Sequence, residues 1–503
     1  MPCDRERVTL PFVQALEENG IMAAEGKSRI LHRQLGPFSL LMMGIGSVVG
    51  AGIYVLPGIA AAHYAGPAVS LSFVLAAISC GFIGLCYAEL ASALPEAMGG
   101  AYGYSRAILG IGPAWWVAWM LVLEYALAGS AVSVGLTGYL SGLLASCGLT
   151  LPGAATNSTV IWHDGGFHLA GQINAVSLCL VLVLGLILSR GIRQASRANG
   201  AFVLLKLAVL VVFVSVGWSH VRPALWHPFL PQSEGGFHFG LAGLLRAVAV
   251  VSFAYLGFDS ISIAASEARN PGRDVPFGLI GALAISAVLY VMVSLVMTGL
   301  VPFRALDVAS PVALAVQALA MPSLGFVLQF GSVIGLGSVL FVSLYGQSRL
   351  CHILAHDRLI SERFSLVDPK SGAPVLAIAM TTALTALTAA LLPIALLADL
   401  VSIGTMIGFV VIAVAVMKLR GDATRAPARF RVPLPGLRVG TLWIGIVPVL
   451  AIVTCLVNLT TVLSDLVAQS LRGDWIPLGF LALYCIAGWV LGRRSARAIH
   501  KAG

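Results

Sequence analysis

Residues 41–58 read LMMGIGSVVGAGIYVLPG. They lie inside an apolar run from about 37 to 64, long enough to cross a bilayer. Yet Gly44, Gly46, Gly50 and Gly52 fall in its middle. Each glycine costs a helix interior roughly 1 kcal/mol relative to alanine, and together they bare the backbone. In lipid a bare N–H or C=O has no water to turn to, so irregular backbone at membrane depth survives only where it lines a cavity. The stretch reads two ways. It is a spanning helix broken near 47–50, or a continuous helix whose small residues admit a close neighbour. The broken reading predicts free peptide groups turned toward a ligand.

Composition places the rest of the chain in a membrane. Of 503 residues 58% are hydrophobic and 10% charged, whereas soluble domains carry about 25% charged residues; mean hydropathy is +0.95. Apolar stretches of spanning length fall at roughly 38–64, 67–94, 113–145, 169–189, 199–218, 241–265, 277–301, 323–350, 374–393, 396–417, 442–463 and 475–492. These predict an all-α membrane protein with 12 transmembrane helices and little room for a soluble domain. Of 30 Lys and Arg, three (Arg222, Arg304 and Arg472) fall in one set of alternate loops and two (Lys206 and Arg246) in or at the edge of spans. The others lie in the tails and the opposite loops. Cationic loops stay in the cytoplasm, which predicts an integral plasma (inner) membrane protein with both termini inside. The +9 net charge is then a topology signal, and no nucleic-acid partner is expected. Residues 1–37 lack the apolar core of a cleavable signal.

Enzyme chemistry finds no support. The glycines at 44–52 are followed by no Lys-Ser/Thr, so they form no phosphate-binding loop. GYGYS lacks the order of a nucleophile elbow. His and Cys show no metal-ligand spacing, and no cofactor is expected.

Two spans are interrupted, the first and the sixth. In the sixth, SFAYLGFDSISIAASEARNPGRD, Gly257 and Asp259 fall mid-span. These breaks occupy equivalent places in two blocks of five helices. Five is odd, so the second block enters from the opposite side, which predicts a 5+5 inverted repeat with the binding site between the breaks. The expected organisation is a tail at 1–37, a first repeat at 38–218, a second at 241–418, peripheral helices at 442–492 and a tail at 493–503. Free amides suit a carboxylate, and unwound carbonyls suit an ammonium. An α-amino acid satisfies both. Span one would offer amides from Gly46, Ser47, Gly50 and Ala51, and span six carbonyls from Phe253, Ala254 and Leu256.

Several motifs carry a resemblance. GIGSVVGAGIYVLPG in span one, CYAELASALPEAMGGAYGYS after span two and LEYALAGSA in span three resemble the cationic amino acid transporter family of the amino acid–polyamine–organocation superfamily. So do SFAYLGFDSISIAASEARNPGRDVPFGLIG in span six, GQSRLCHILAHDRLI after span eight and RFRVPLPGLRVGTLWIGIVPVLAIVTCLVNL late in the chain. The resemblance implies a leucine-transporter-like fold and secondary active transport of neutral or cationic amino acids. It also implies that residues 46–51, Phe253, Ala254 and Leu256 contact substrate. Two departures stand out. Ser266-Glu267-Ala268 replaces the usual Glu-Glu after span six, and His352 stands where the family has an aromatic. Neither is expected in the pocket.

Charges inside spans are functional candidates. Lys206 in NGAFVLLKLAVLVVF resembles prokaryotic relatives in which a span-five lysine stands at the sodium position of sodium-coupled carriers. An ammonium there is costly, and a group able to shed that charge is a candidate carrier of the coupling proton. Pairing with Glu124 or snorkelling to the inner face are the structural alternatives for Lys206. Glu124 in span three is expected to tune Lys206 or a basic substrate group, with a hydrogen bond that ties two helices together as the alternative. Asp259 is expected to cap the second half of span six. Glu89, Glu267, Arg269 and Arg273 are expected near the cytoplasmic face as weak gating pairs, and His63 as an outer surface histidine. The expected partners are therefore an amino acid, a proton and the lipid bilayer. The sequence leaves open the preferred amino acid, symport against exchange, and any accessory subunit.

Overall fold

A computed structural model describes residues 35–502, apart from 98, 164–165, 170, 191–194, 264, 266–267, 369–370 and 423–427. Glu267 and most of the N-terminal tail thus lie outside the described residues. The chain is nearly all helical. The first span begins with α1 (Pro37–Val48), restarts as α2 (Ala51–Tyr54) and α3 (Leu56–Ala60), and runs through a π-helical turn at Ala61–Ala65. Then come α4 (Val69–Ala93), α5 (Ala101–Leu109), α6 (Ile111–Ser146), α7 (Ala175–Ser189) and α8 (Ala195–Trp218). The sixth span is split into α9 (Gly240–Ser252) and α10 (Ser260–Ile263). It is followed by α11 (Pro271–Leu300), α12 (Pro311–Gln317), α13 (Pro322–His356), α14 (Val375–Leu391), α15 (Ile394–Gly421), α16 (Ile446–Leu471) and α17 (Ile476–Ala502). Two antiparallel hairpins, β1 (Val160–His163) with β2 (Gly166–Leu169) and β3 (Gly436–Val439) with β4 (Leu442–Gly445), sit in loops.

Among the described residues nine helical stretches are long and apolar enough to cross a membrane. Three shorter apolar helices, α1, α7 and α14, stand where the first, fourth and ninth spans are expected. The first is short because it is broken. The fourth starts at Ala175 rather than 169, because β2 takes up Gly166–Leu169. The short mixed segment after span two forms α5, with Tyr102 and Tyr104 buried.

Packing shows the internal symmetry. Span two packs on seven (α4 on α11), three on eight (α6 on α13) and four on nine (α7 on α14). Spans three and ten (α6, α15) are matched by eight and five (α13, α8), and spans one and seven (α1, α11) by six and two (α9, α4). Exchanging each span with the one five places on maps this set onto itself, as an inverted repeat requires. Outside the pattern, α16 packs on α15 and α4.

Glu89 departs from the expected exposed gating pair. It is 1% exposed and accepts two bonds from Arg420, at 2.6 and 2.7 Å, and one from the Val432 N–H. Arg420 also lies 4.0 Å from the Trp443 ring centre. The group clamps α4, the end of α15 and the following hairpin together. Arg269 and Arg273 are exposed.

Candidate transport site

The first break is made by two residues. The Val49 N–H closes α1 on the Ile45 carbonyl at 2.9 Å, and Gly50 then turns away with φ −141° and ψ −144°. Helix resumes at Ala51, so the first amides of α2 have no preceding turn to bond to. In the sixth span α9 tightens into a 3₁₀ turn at Phe253–Tyr255; Leu256 is extended and Gly257 takes φ +100°, a left-handed conformation that favours glycine.

The two breaks touch. A Cβ on Gly52 would overlap Ala254, and one on Gly257 would lie 2.9 Å from the Ser47 carbonyl oxygen. The Ser260 hydroxyl donates to Ser47 Oγ at 3.1 Å. Tyr290 of α11 holds both spans, its hydroxyl 2.8 Å from the Val48 carbonyl and 2.9 Å from that of Ala254. The Tyr139 hydroxyl donates to the Tyr54 carbonyl at 2.7 Å.

Lys206 sits beneath the first break, fully buried. Its ammonium donates to the Gly46 carbonyl and, at 2.8 Å, to that of Val49. Gly335 of α13 leaves room for it, since a Cβ there would lie 3.1 Å from Lys206 Cβ. One cation thus satisfies two carbonyls that the break sets free. Among the described residues Lys206 makes no ion pair with Glu124. Glu124 lies instead beside Thr405 and Asp259. Asp259 draws on backbone groups of Gly257, Ser260 and its own residue, at the turn that leads into α10, and accepts from Tyr125 at 3.4 Å.

A cavity of about 620 Å³ opens from the breaks. Of the residues expected to bind substrate, Ser47, Gly50, Ala51, Phe253 and Leu256 line it, and so does Glu124. Gly46, Ala254 and Lys206 stand behind its wall. The Gly46 carbonyl is taken by Lys206, and that of Ala254 by Tyr290. The Phe253 carbonyl already accepts the Leu256 N–H at 3.1 Å. The Leu256 carbonyl receives no bond among the described residues. The far wall is one face of α13 from Val339 to Ile353, about 21 Å of helix. The cavity therefore runs from the breaks toward the face that carries α5 and the end of α13. His352 lies on this wall at its far end, away from the breaks; α13 continues to His356, past the expected end at 350.

The sequence reading missed a charge cluster. Arg246 of α9 is fully buried, 2.6 Å from Asp399 of α15 and 2.9 Å from Asp465 of α16, with its guanidinium 5.1 Å from the Tyr64 ring centre. Asp399 within one apolar span and Asp465 just past the end of another were the available signal, but nothing local ties them to Arg246. On the same side of the breaks His63 Nε2 lies 3.0 Å from Asp307, and the imidazole holds the Asp307 carboxyl below its ordinary value.

Helical spans that break against each other over a buried cavity define a membrane carrier, not an enzyme. The amino acid permease family matches residues 35–486, and the chain belongs to that family. It is 37% identical over 435 residues to the methylthioribose transporter of Bacillus subtilis, covering 86% of this chain and 89% of the relative. It is 38% identical over 437 residues to the branched-chain amino acid permease BcaP of the same organism, covering 87% and 89%. The mouse cationic amino acid transporter 4 is 31% identical over 426 residues, covering 84% of this chain and 66% of the relative.

Proposed function

We propose that the protein is a proton-coupled amino acid symporter of the plasma membrane, working by alternating access with both termini in the cytoplasm. The observation that carries this reading is the pairing of open amides at Gly50 and Ala51 with the free Leu256 carbonyl in one cavity. The amides suit a carboxylate and the carbonyl an ammonium, so the two ends of an α-amino acid are matched by backbone alone. Ser47 adds a hydroxyl, Phe253 shapes the side-chain end, and Gly46 and Ala254 act from behind by fixing the breaks. Glu124 tunes the side-chain end. Repeats at 38–218 and 241–418 rock about this site. The cavity leads toward the face with the basic loops, which supports an inward-facing state in this reading.

Lys206 is the coupling group in this reading. Charged, it pulls the Gly46 and Val49 carbonyls together and fixes the break; losing its proton, it loosens that grip and frees α1. In proteoliposomes, an inward proton gradient should drive uptake by the unaltered protein. Lys206→Ala should retain binding but lose the gradient dependence. Full gradient dependence in Lys206→Ala would remove the lysine from the mechanism, and uptake that requires internal amino acid would make the protein an exchanger.

The 37% identity to a methylthioribose transporter favours a second reading, a neutral thiosugar as cargo. Such a sugar has neither carboxylate nor ammonium to match the paired backbone groups. Thermal stabilisation of purified protein by L-leucine, L-lysine, putrescine and methylthioribose at two pH values decides between them.

A further inference from the structure

The α13 wall of the cavity ends in two basic side chains less than one turn apart. Arg349 and His352 both line it. Arg349 stacks over Tyr345, 5.1 Å from the ring centre, and has no carboxylate partner among the described residues. The ring holds the guanidinium in place without neutralising it. His352 Nδ1 is buried and has no hydrogen-bond partner among the described residues. The neighbouring acid, Asp357, is already engaged by Arg106 and, at 2.5 Å, by the Tyr102 hydroxyl. The imidazole of His352 does hydrogen-bond the Phe364 backbone, and His356 lies nearby. A half-buried guanidinium with unspent donors thus lines the cavity, and beside it His352 carries a buried ring nitrogen that still lacks a partner, the kind of group that calls for one. The fitting partner is a carboxylate, which a guanidinium binds through two parallel bonds.

The breaks lie well away from this pair. Gly50 packs at Val339, ten residues before Arg349, or about 15 Å along the helix. One amino acid cannot hold both places at once. We propose that Arg349 and His352 form a second, transient station for the substrate carboxylate, on the release path between the backbone site and the face that carries α5. The inference rests on the amino acid reading above. Substrate leaving the amides of α2 is met by the Arg349 guanidinium before it reaches water. Substrate approaching from that face is captured there first.

The station lies on one side only, and the test uses that asymmetry. Full-length protein is reconstituted in one orientation, and the half-saturating concentration of L-leucine and L-lysine is measured from each face. Arg349→Gln should raise it roughly tenfold or more from the α5 face and leave the opposite face within about twofold. Arg349→Lys should retain part of the effect, and His352→Phe should give a smaller rise on the same face. Transport of isopentylamine, which lacks the carboxylate, should be indifferent to all three. Equal half-saturation from both faces for Arg349→Gln and the unaltered protein overturns the station while leaving amino acid transport intact. Failure of the unaltered protein to move either amino acid overturns both readings. If Arg349→Gln does not yield folded protein, Arg349→Lys and His352→Phe decide, and unchanged values in both reject the station.

Discussion

At the scale of single residues, the protein relies on glycines where two backbones meet. Gly257 combines a left-handed φ of +100° with a Cβ position 2.9 Å from the Ser47 carbonyl oxygen. Gly257→Ala should therefore cost about 1–2 kcal/mol for the conformation alone and push the breaks apart. Thermal unfolding in detergent should show a lower melting temperature, and uptake should fall more than stability does. Asp307 gives a pH-dependent counterpart. His63 depresses its carboxyl pKa, so its contribution to stability is present above the ordinary value of 3.8 and is lost as pH falls below that. The pair is substantially exposed and is worth under about 1 kcal/mol. Asp307→Asn should lower the melting temperature slightly at pH 6, and the gap should close in acid. Much of this level was legible in advance. Crowded glycines announced the first break, Gly257 the second, and Lys206 stood out as a charge in an apolar run. What the lysine holds was not legible, because its acceptors are backbone groups about 160 residues away.

At the scale of helices, hydropathy located the apolar segments well and their ends poorly. A helix continues into polar sequence when packing supports it. α13 does so through GQSRLCHILAH, carrying His352 onto the cavity wall where a loop had been expected. Glu89 failed to read correctly for a related reason. Its partners, Arg420 and the Val432 N–H, come from the far end of another span and the loop after it, 331 and 343 residues on. Glu89→Gln keeps the shape but leaves a largely buried guanidinium under-neutralised. It should cost about 3–5 kcal/mol, read as a large loss of melting temperature. Arg420→Gln should do the same, and the double variant should cost less than the sum of the two.

At the scale of the whole molecule, the exchange symmetry of the packing pairs was foreseeable from two interruptions five spans apart, because an odd number of crossings reverses direction. The Arg246 cluster was not, since Asp399 and Asp465 lie 153 and 219 residues from it. Arg246→Met would strand two acids and should cost about 3–5 kcal/mol; adding Asp399→Asn and Asp465→Asn should recover most of the loss in unfolding experiments. The cluster also decides what travels with what. α9 carries half of the split sixth span, and its fully buried guanidinium is shackled to α15 and α16 through Asp399 and Asp465. Any stroke that swings α9 must haul the tenth and eleventh spans along as ballast or strip a charge bare in oil. The last helices are thus more than outriggers, and a carrier trimmed of them would have a different moving mass, with a naked arginine at its hinge.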